Sequence, residues 1–426
     1  MDRQELSRRD LLGTGATVAA GAIAGCTLPR SEAATTGKQL LTFDGVGRSL
    51  QERCEAVYGH VEELVGASIQ AETTIKLIDT AAMRELAAGS GFIGDTTTQR
   101  LAHRALGLVE TVEPDLSFEF AGAYFPGSET ILLVGDEPSV DDQLIAHELC
   151  HAIQFQTNVI DEWDRTWAAG FDRYNAKQAL IEGTAQFLED EYVGGCDGHF
   201  SNCHLKRSGR IQLDQVDPAL LVAFGAYING HDFAAALAER NGWNAVWDAH
   251  ADPPTTTGEI LHPDWYPNHE PAQVPVPDEP EPDWSTLDDE RLGMQSVFLT
   301  LWNEGVLPTE EVASDDEVTD EVFSTQVRYR SPISDAWRGD RFTTFVREGG
   351  RHAWLWRIRW RDSSAAETGY EYFREWADLR GERTSDGTVW ERDDRYETLS
   401  LDGRDLLVGM APDVAAFESI DPALLE

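Results

Sequence analysis

The stretch that most narrows what this chain can fold into is AHELCHAIQFQ, residues 146–156, which carries His147, Glu148 and His151 in the pattern H-E-x-x-H. On an α-helix, residues four apart stand one turn apart on the same face, so both imidazoles can be offered to one ion, with Glu148 able to reach a water on it. Two histidines leave such an ion short of a ligand. A catalytic zinc site takes three protein ligands and keeps a further position for water.

The third donor decides the subclass. In the metzincin arrangement a Gly and a third His follow on the same run, but those positions hold Gln154 and Thr157, so that arrangement is excluded. The alternative is a carboxylate from a second helix, and YNAKQALIEGTAQFLEDEYV reads as one. Glu182 in IEGTAQF is its leading ligand, because Gly183 and Ala185 have no bulk and would let the two helices approach. Asp161, Glu162, Glu189 and Glu191 compete for the role.

Around this motif the chain reads as α+β. The spacing of Leu50, Cys54, Val57, Val61 and Val65 predicts a helix over 48–65, TTIKLID a strand, and TAAMRELAAG a helix from Thr80 to Gly89. FEFAGAYFPGSETILLVG predicts a hairpin about Pro126, Gly127 and Ser128, leading into the motif helix, for which Ser139 is the expected cap. Nine of the eighteen prolines fall between Pro253 and Pro282, which marks a surface connection and a domain boundary. Beyond it come the apolar helix RLGMQSVFLTLWNEG and a hairpin turning at Gly349 and Gly350. Trp354, Trp356, Ile358 and Trp360 would share one face of that hairpin as core. A helix from Ser363 to Leu379, two strands and a closing helix complete the chain. With 426 residues there is length for two cores, and the expected division is 46–250, a connection over 251–290, and 291–426.

Net charge is −42, from 76 acidic and 34 basic residues, of which only Lys38, Lys76, Lys177 and Lys206 are lysine. The acids are spread along a chain rich in Trp and Phe, so they form a solvated surface rather than a disordered tail. Such a surface suits concentrated salt, as in haloarchaea, where its self-repulsion is screened, and it makes nucleic acid an improbable partner. The first 26 residues read as an address. SRRDLLGTGATVAAGAIAGC resembles a twin-arginine export signal ending in a lipobox, so Cys26 would carry lipid, residues 27–45 would be a tether, and the body would stand on the outer face of the membrane. Outside the cell Cys196 and Cys203 can close a disulfide, although Cys196, His199, Cys203 and His204 also have the residue types of a small structural zinc site. The disulfide is favoured, with Cys54 and Cys150 as buried thiols.

AHELCHAIQFQ followed by ALIEGTAQFLEDEY resembles the gluzincin-type zinc metallopeptidases, and in detail a group of exported haloarchaeal and bacterial surface proteins. Further similarity to that group lies in AGAYFPGSETILLV, TTGEILHPDWY, AWRGDRF and LWRIRW, so it covers residues from near 70 to near 380. The resemblance implies a zincin-like core in which His147, His151 and Glu182 hold Zn2+ and Glu148 is the general base. It also implies an edge strand above the motif helix that binds the substrate backbone, a role Ile131 to Val134 would fill. Gln156 and Thr184 depart from the group's usual residues, and neither is a proposed ligand.

The chemistry expected is hydrolysis of a peptide or protein. Zinc activates a water, Glu148 moves its proton to the leaving amine, and a further donor steadies the oxyanion. His262 in LHPDWY, with Tyr266 behind it, is the expected donor. The rival readings are a surface lipoprotein that keeps the zincin part as a non-catalytic scaffold for binding, and a zinc hydrolase of non-peptide substrates.

Overall fold

The computed structural model describes residues 40–87, 96–109, 121–157, 170–205, 216–308, 328–384, 387–393 and 395–425. The signal-like segment with Cys26, most of the expected tether, Gly89, Asp161 and Glu162 lie outside the described residues. Helices and strands both contribute, and the strands form two sheets.

The first sheet starts inside the expected tether. Leu41–Asp44 (β1) pairs in parallel with Thr73–Ile78 (β2), and the helix between them, Arg48–Val65 (α1), buries the predicted stripe against Ile75, Ile131 and Leu133. Helices Thr80–Ala87 (α2) and Thr97–Ala105 (α3) precede the hairpin of Gly122–Phe125 (β3) and Thr130–Val134 (β4). Strand order is β1-β2-β4-β3, with β3 antiparallel to its neighbour. Ile131 to Val134 is therefore an internal strand, and among the described strands β3 and β1 are the edges, with β3 the one beside it. The run ILLV itself carries the reason, since Thr130 to Leu133 are all buried and a strand covered on both faces reads as a continuous apolar run.

The motif helix is Asp142–Gln156 (α4). Its cap is Asp141, whose carboxylate accepts from Leu144 N at 2.8 Å, rather than Ser139, whose hydroxyl is spent on the backbone of Asp136 in the preceding turn. Asp142 is buried in the first turn, where it accepts from Arg53 of α1 at 2.7 Å and from His204 N at 2.6 Å. His204 follows the disulfide that joins Cys196 to Cys203, and this bond replaces the alternative Cys-His zinc site. Cys54 and Cys150 are buried free thiols.

Helix α5, Phe171–Gly198, extends beyond the predicted span at both ends. Its start is set by partners far along the chain. Phe171 N donates to Glu290 at 2.8 Å, and buried Asp172 accepts from Thr257 N and Oγ1 and from Arg291 Nε at 2.6–2.8 Å. The next helix, Leu221–Ala251 (α6), kinks at Asn241 and Gly242 and has no counterpart in the sequence reading, because three glycines interrupt its pattern. It is long and apolar enough to cross a bilayer, yet it packs along α5 and into the core. A Cβ on Gly183 would stand 2.0 Å from Gly230 C, and one on Gly230 would stand 2.0 Å from Ala179 O. Gly183 thus serves the contact with α6, not α4 as expected; Ala185 is the small residue that packs with α4.

A short buried helix, Thr257–Leu261 (α7), occupies the first part of the Pro-rich segment, and only the residues after it run over the surface. The second sheet is antiparallel throughout. It contains Trp284–Glu290 (β5), Trp337–Arg347 (β6), Arg351–Trp360 (β7), Glu382–Arg383 (β8), Val389–Arg392 (β9), Arg395–Asp402 (β10) and Asp405–Ala411 (β11), in the order β5-β6-β7-β11-β10-β9-β8. Strand β5 lies within residues expected to be connection, and the last part of the chain has four strands where two were expected. Helices Gly293–Asn303 (α8) and Ser363–Arg380 (α9) cover the face bearing Trp354, Trp356, Ile358 and Trp360, while Ala415–Ile420 (α10) covers the other.

The core under the tryptophan face also takes in Leu101 of α3, Phe171 of α5, Ile228 of α6 and Leu261 of α7, so it is continuous across the Pro-rich segment. Buried Asp340 of β6 completes the join by accepting from the backbone of Leu292 and Gly293 and from the indoles of Trp337 and Trp356, at 2.8–3.0 Å. Because the α5–α6 crossing leaves no room for a methyl group, Gly183→Ala should destabilise the fold by about 1–3 kcal/mol. Gly59→Ala, on the exposed face of α1 with open space around it, should stabilise it by about 0.4–1 kcal/mol. Denaturant melts of both variants in concentrated salt check the opposite signs.

Candidate metal centre

The two histidines of α4 and Glu182 of α5 converge. His147 Nε2 and His151 Nε2 are 3.0 Å apart, and Glu182 Oε2 is 3.4 Å from each. These separations allow one ion bonded at ~2.0–2.2 Å to reach all three atoms, and the three residues form a group positioned to bind a metal ion. The side chains retain exposures of 10% for each histidine and 19% for Glu182, so the cluster has an open side.

Each histidine is held from behind. His147 Nδ1 bonds to Glu189 Oε1 at 2.6 Å, and His151 Nδ1 to Gln154 Oε1 at 2.8 Å, which leaves both Nε2 atoms facing Glu182. Glu189, a competitor for the ligand role, is thus a partner of His147, while Glu191 is exposed. Glu148 is buried beside the histidines, and its Oε2 has no hydrogen-bond partner. Its Oε1 lies 2.7 Å from where a Cβ on Gly122 would be, so the edge strand β3 passes over Glu148, which a side chain at 122 would push aside. The last turn of α4 keeps β3 there: Phe155 stacks on Tyr124, and Gln156 Nε2 donates to Thr73 Oγ1 and Glu129 at 2.7 Å.

Tyr227 of α6, rather than His262 or Tyr266, is the further side chain that lies at the cluster. Its ring stacks against His147, with centroids 6.2 Å apart and planes 18° apart, and its hydroxyl lies in the field of the Glu182 carboxylate. His262 instead bonds to Asp335 at 3.0 Å and stacks on Trp265, and Tyr266 donates to the carbonyl of Asp252 at 2.6 Å. The short turn Pro263–Trp265 directs both side chains to these partners, and neither touches a member of the cluster in any described contact. The signal that could have led to Tyr227 is indirect: Glu182-Gly183 on one helix and Gly230 on another set a close crossing, which brings the residue one turn before Gly230 beside Glu182.

Burial opposes charge throughout the cluster, and the neighbours decide the outcome. Burial alone would lower the pKa of His147, but the hydrogen bonds of Glu182 and Glu189 hold it well above the ordinary value. Burial would raise Glu182, but His151 and His147 hold it well below the usual carboxylate range. Glu148 goes up because burial outweighs both histidines, and Tyr227 goes well up through burial and the Glu182 carboxylate. At neutral pH the tyrosine is therefore a donor.

Residues 284–421, from the first residue of β5 to just past α10, match a family described as a domain of unknown function (DUF8575). The match lies wholly outside the cluster of His147, His151 and Glu182. No curated protein and no solved structure matches the chain.

Elemental mass spectrometry on protein purified in concentrated salt should find about one metal ion per chain, and markedly less in Glu182→Gln. Since His147 carries a proton that the metal must displace, apparent affinity should rise about tenfold per pH unit below the raised pKa of that histidine. Competition against a chromophoric chelator at two pH values measures it, and an affinity independent of pH would contradict the assignment of His147 as a ligand.

Proposed function

We propose that the chain is a zinc-dependent peptidase whose zincin-like core is formed by β3, α4 and α5, carried on the outer face of the membrane by lipid at Cys26. The observation that supports this best is the convergence of His147, His151 and Glu182 with a buried, half-unsatisfied Glu148 beneath an edge strand. Two imidazoles and one carboxylate are a donor set of catalytic zinc. A zinc ion held there supplies a Lewis acid for the scissile carbonyl and brings the pKa of its water towards ~7.

The remaining work falls to the chain's own groups. Glu148, with Oε2 free and its pKa raised, accepts the proton of the attacking water and delivers it to the leaving amine. The Tyr227 hydroxyl, kept protonated beside the cluster, donates to the developing oxyanion. A substrate backbone pairs with the outer edge of β3, and Gly122 leaves the strand bare where it crosses Glu148. The acidic surface limits all of this to concentrated salt, where its self-repulsion is screened.

Incubating the protein with a peptide library in concentrated salt and reading the products by mass spectrometry tests the proposal. Glu148→Gln should lower kcat/KM by about 10²–10⁴ while retaining the metal. Tyr227→Phe should lower kcat by about 10²–10³ with the same metal content. Cleavage by Glu148→Gln at the wild-type rate would remove Glu148 as the general base, and no cleavage by folded, metal-loaded wild type would remove the peptidase assignment.

A further inference from the structure

The two histidines are backed by chemically different groups: His147 by a carboxylate, His151 by the neutral amide of Gln154, which is fully buried. An amide presents an acceptor at one end and donors at the other, so its use depends on which way it points. Here the direction follows from a main-chain group. One end of Gln154 lies 2.9 Å from Ile181 O, and a carbonyl oxygen can only accept, so that end is Nε2. Oε1 therefore faces His151 Nδ1 at 2.8 Å, and because Oε1 can only accept, the ring proton of His151 sits on Nδ1. Its Nε2 is left with a lone pair turned towards Glu182.

The second proton of the amide is also placed. Gln154 Nε2 lies 3.1 Å from Nε2 of His250, a buried residue of α6. His250 Nδ1 is 2.9 Å from Val246 O, so Nδ1 must donate and Nε2 is the bare nitrogen that accepts from Gln154. Burial, the first cause of a pKa of about 4 for His250, keeps that ring neutral and this pattern intact. The relay is thus anchored at both ends by carbonyls whose polarity cannot reverse, Ile181 O and Val246 O. Ile181 precedes the ligand Glu182, so the same amide also ties the placement of the two ligand-bearing helices to each other.

We propose that Gln154 and His250 are positioning residues that lock His151 in its Nδ1–H tautomer, so that Nε2 is presented to the ion. This rests on the metal-centre reading. His250 is absent from the sequence-level candidates and makes no contact with the reacting groups, so its influence would pass entirely through Gln154.

The test uses the full chain in concentrated salt, with zinc as the probe and two readouts: zinc affinity by chelator competition, and the histidine Nδ1–H signals in long-range 1H–15N spectra of the zinc-loaded protein. Gln154→Leu should lose about 10–100-fold in zinc affinity, with the slowly exchanging Nδ1–H of His151 lost while that of His147, bonded to Glu189, persists. His250→Leu should lose about threefold to tenfold, as expected for one hydrogen bond, and His250→Gln, whose side-chain oxygen can accept the same proton, should return to within about twofold of wild type. Wild-type affinity and an unchanged His151 Nδ1–H signal in Gln154→Leu would overturn the proposal. If that variant does not fold, equal affinities and equal His151 signals in His250→Leu and His250→Gln would overturn it instead. Failure of the folded wild type to take up zinc would remove the metal-centre reading itself, a result distinct from these.

Discussion

Helix α5 is held between α4 and α6, and the cluster depends on how closely it can be held. At the crossing with α6 the backbones of Gly183 and Gly230 nearly touch, so the residues either side of that point are pressed together whatever their chemistry. Glu182 is one of them and Tyr227 another, and both are thereby turned towards His147. On its other side α5 meets α4 through Ala185 and Leu188, packed with Ile145, Leu149 and Cys150. The ligand carboxylate is set by two helix contacts at once, which leaves it little freedom to relax away.

This arrangement places three carboxylates, Glu148, Glu182 and Glu189, around two imidazoles in a largely buried space. Taking so much charge out of water is costly unless the groups are paired, and the pairing here is incomplete because Oε2 of Glu148 lacks a hydrogen-bond partner. Buried polar groups left short of partners in a well-packed protein mark a place where something else binds. The structure offsets part of the cost through a proton on His147 and through the backing groups Glu189 and Gln154, which also orient the rings. The region matched by the family of unknown function contributes from a distance: Glu290 at the end of β5 and Arg291 just after it hold the first residues of α5, ten residues before Glu182.

Much of this was legible in the residues alone, and what was legible was local. His147, Glu148 and His151 share a face because helical geometry requires it, and Glu182 stood out because a donor flanked by small residues suits a helix that must come close. The stripe of α1, the hairpin, the Cys196–Cys203 bond and the tryptophan face of β7 likewise follow from short-range spacing. The misses share the opposite property. Strands β1 and β5 are short or polar and exist because a neighbour supplies their hydrogen bonds; β5 has five exposed residues in a row. Helix α6 hides behind glycines whose purpose is visible only against α5. His262 and Tyr266 were drawn in by their chemistry, but chemistry does not say which way a turn will point a side chain.

By itself, then, the sequence determined which groups can bind an ion, since the identities and helical spacing of His147, His151 and Glu182 need no knowledge of the rest of the chain. Tertiary structure alone decided what surrounds them: β3 rather than β4 at the edge over Glu148, Tyr227 rather than His262 at the cluster, and Gln154 and His250 behind His151. The physical reason is that a hydrogen bond or a van der Waals contact between residues far apart in the chain depends on relative placements of a fraction of an ångström. Those placements are set by the packing of all three helices together, and no single stretch of sequence contains them.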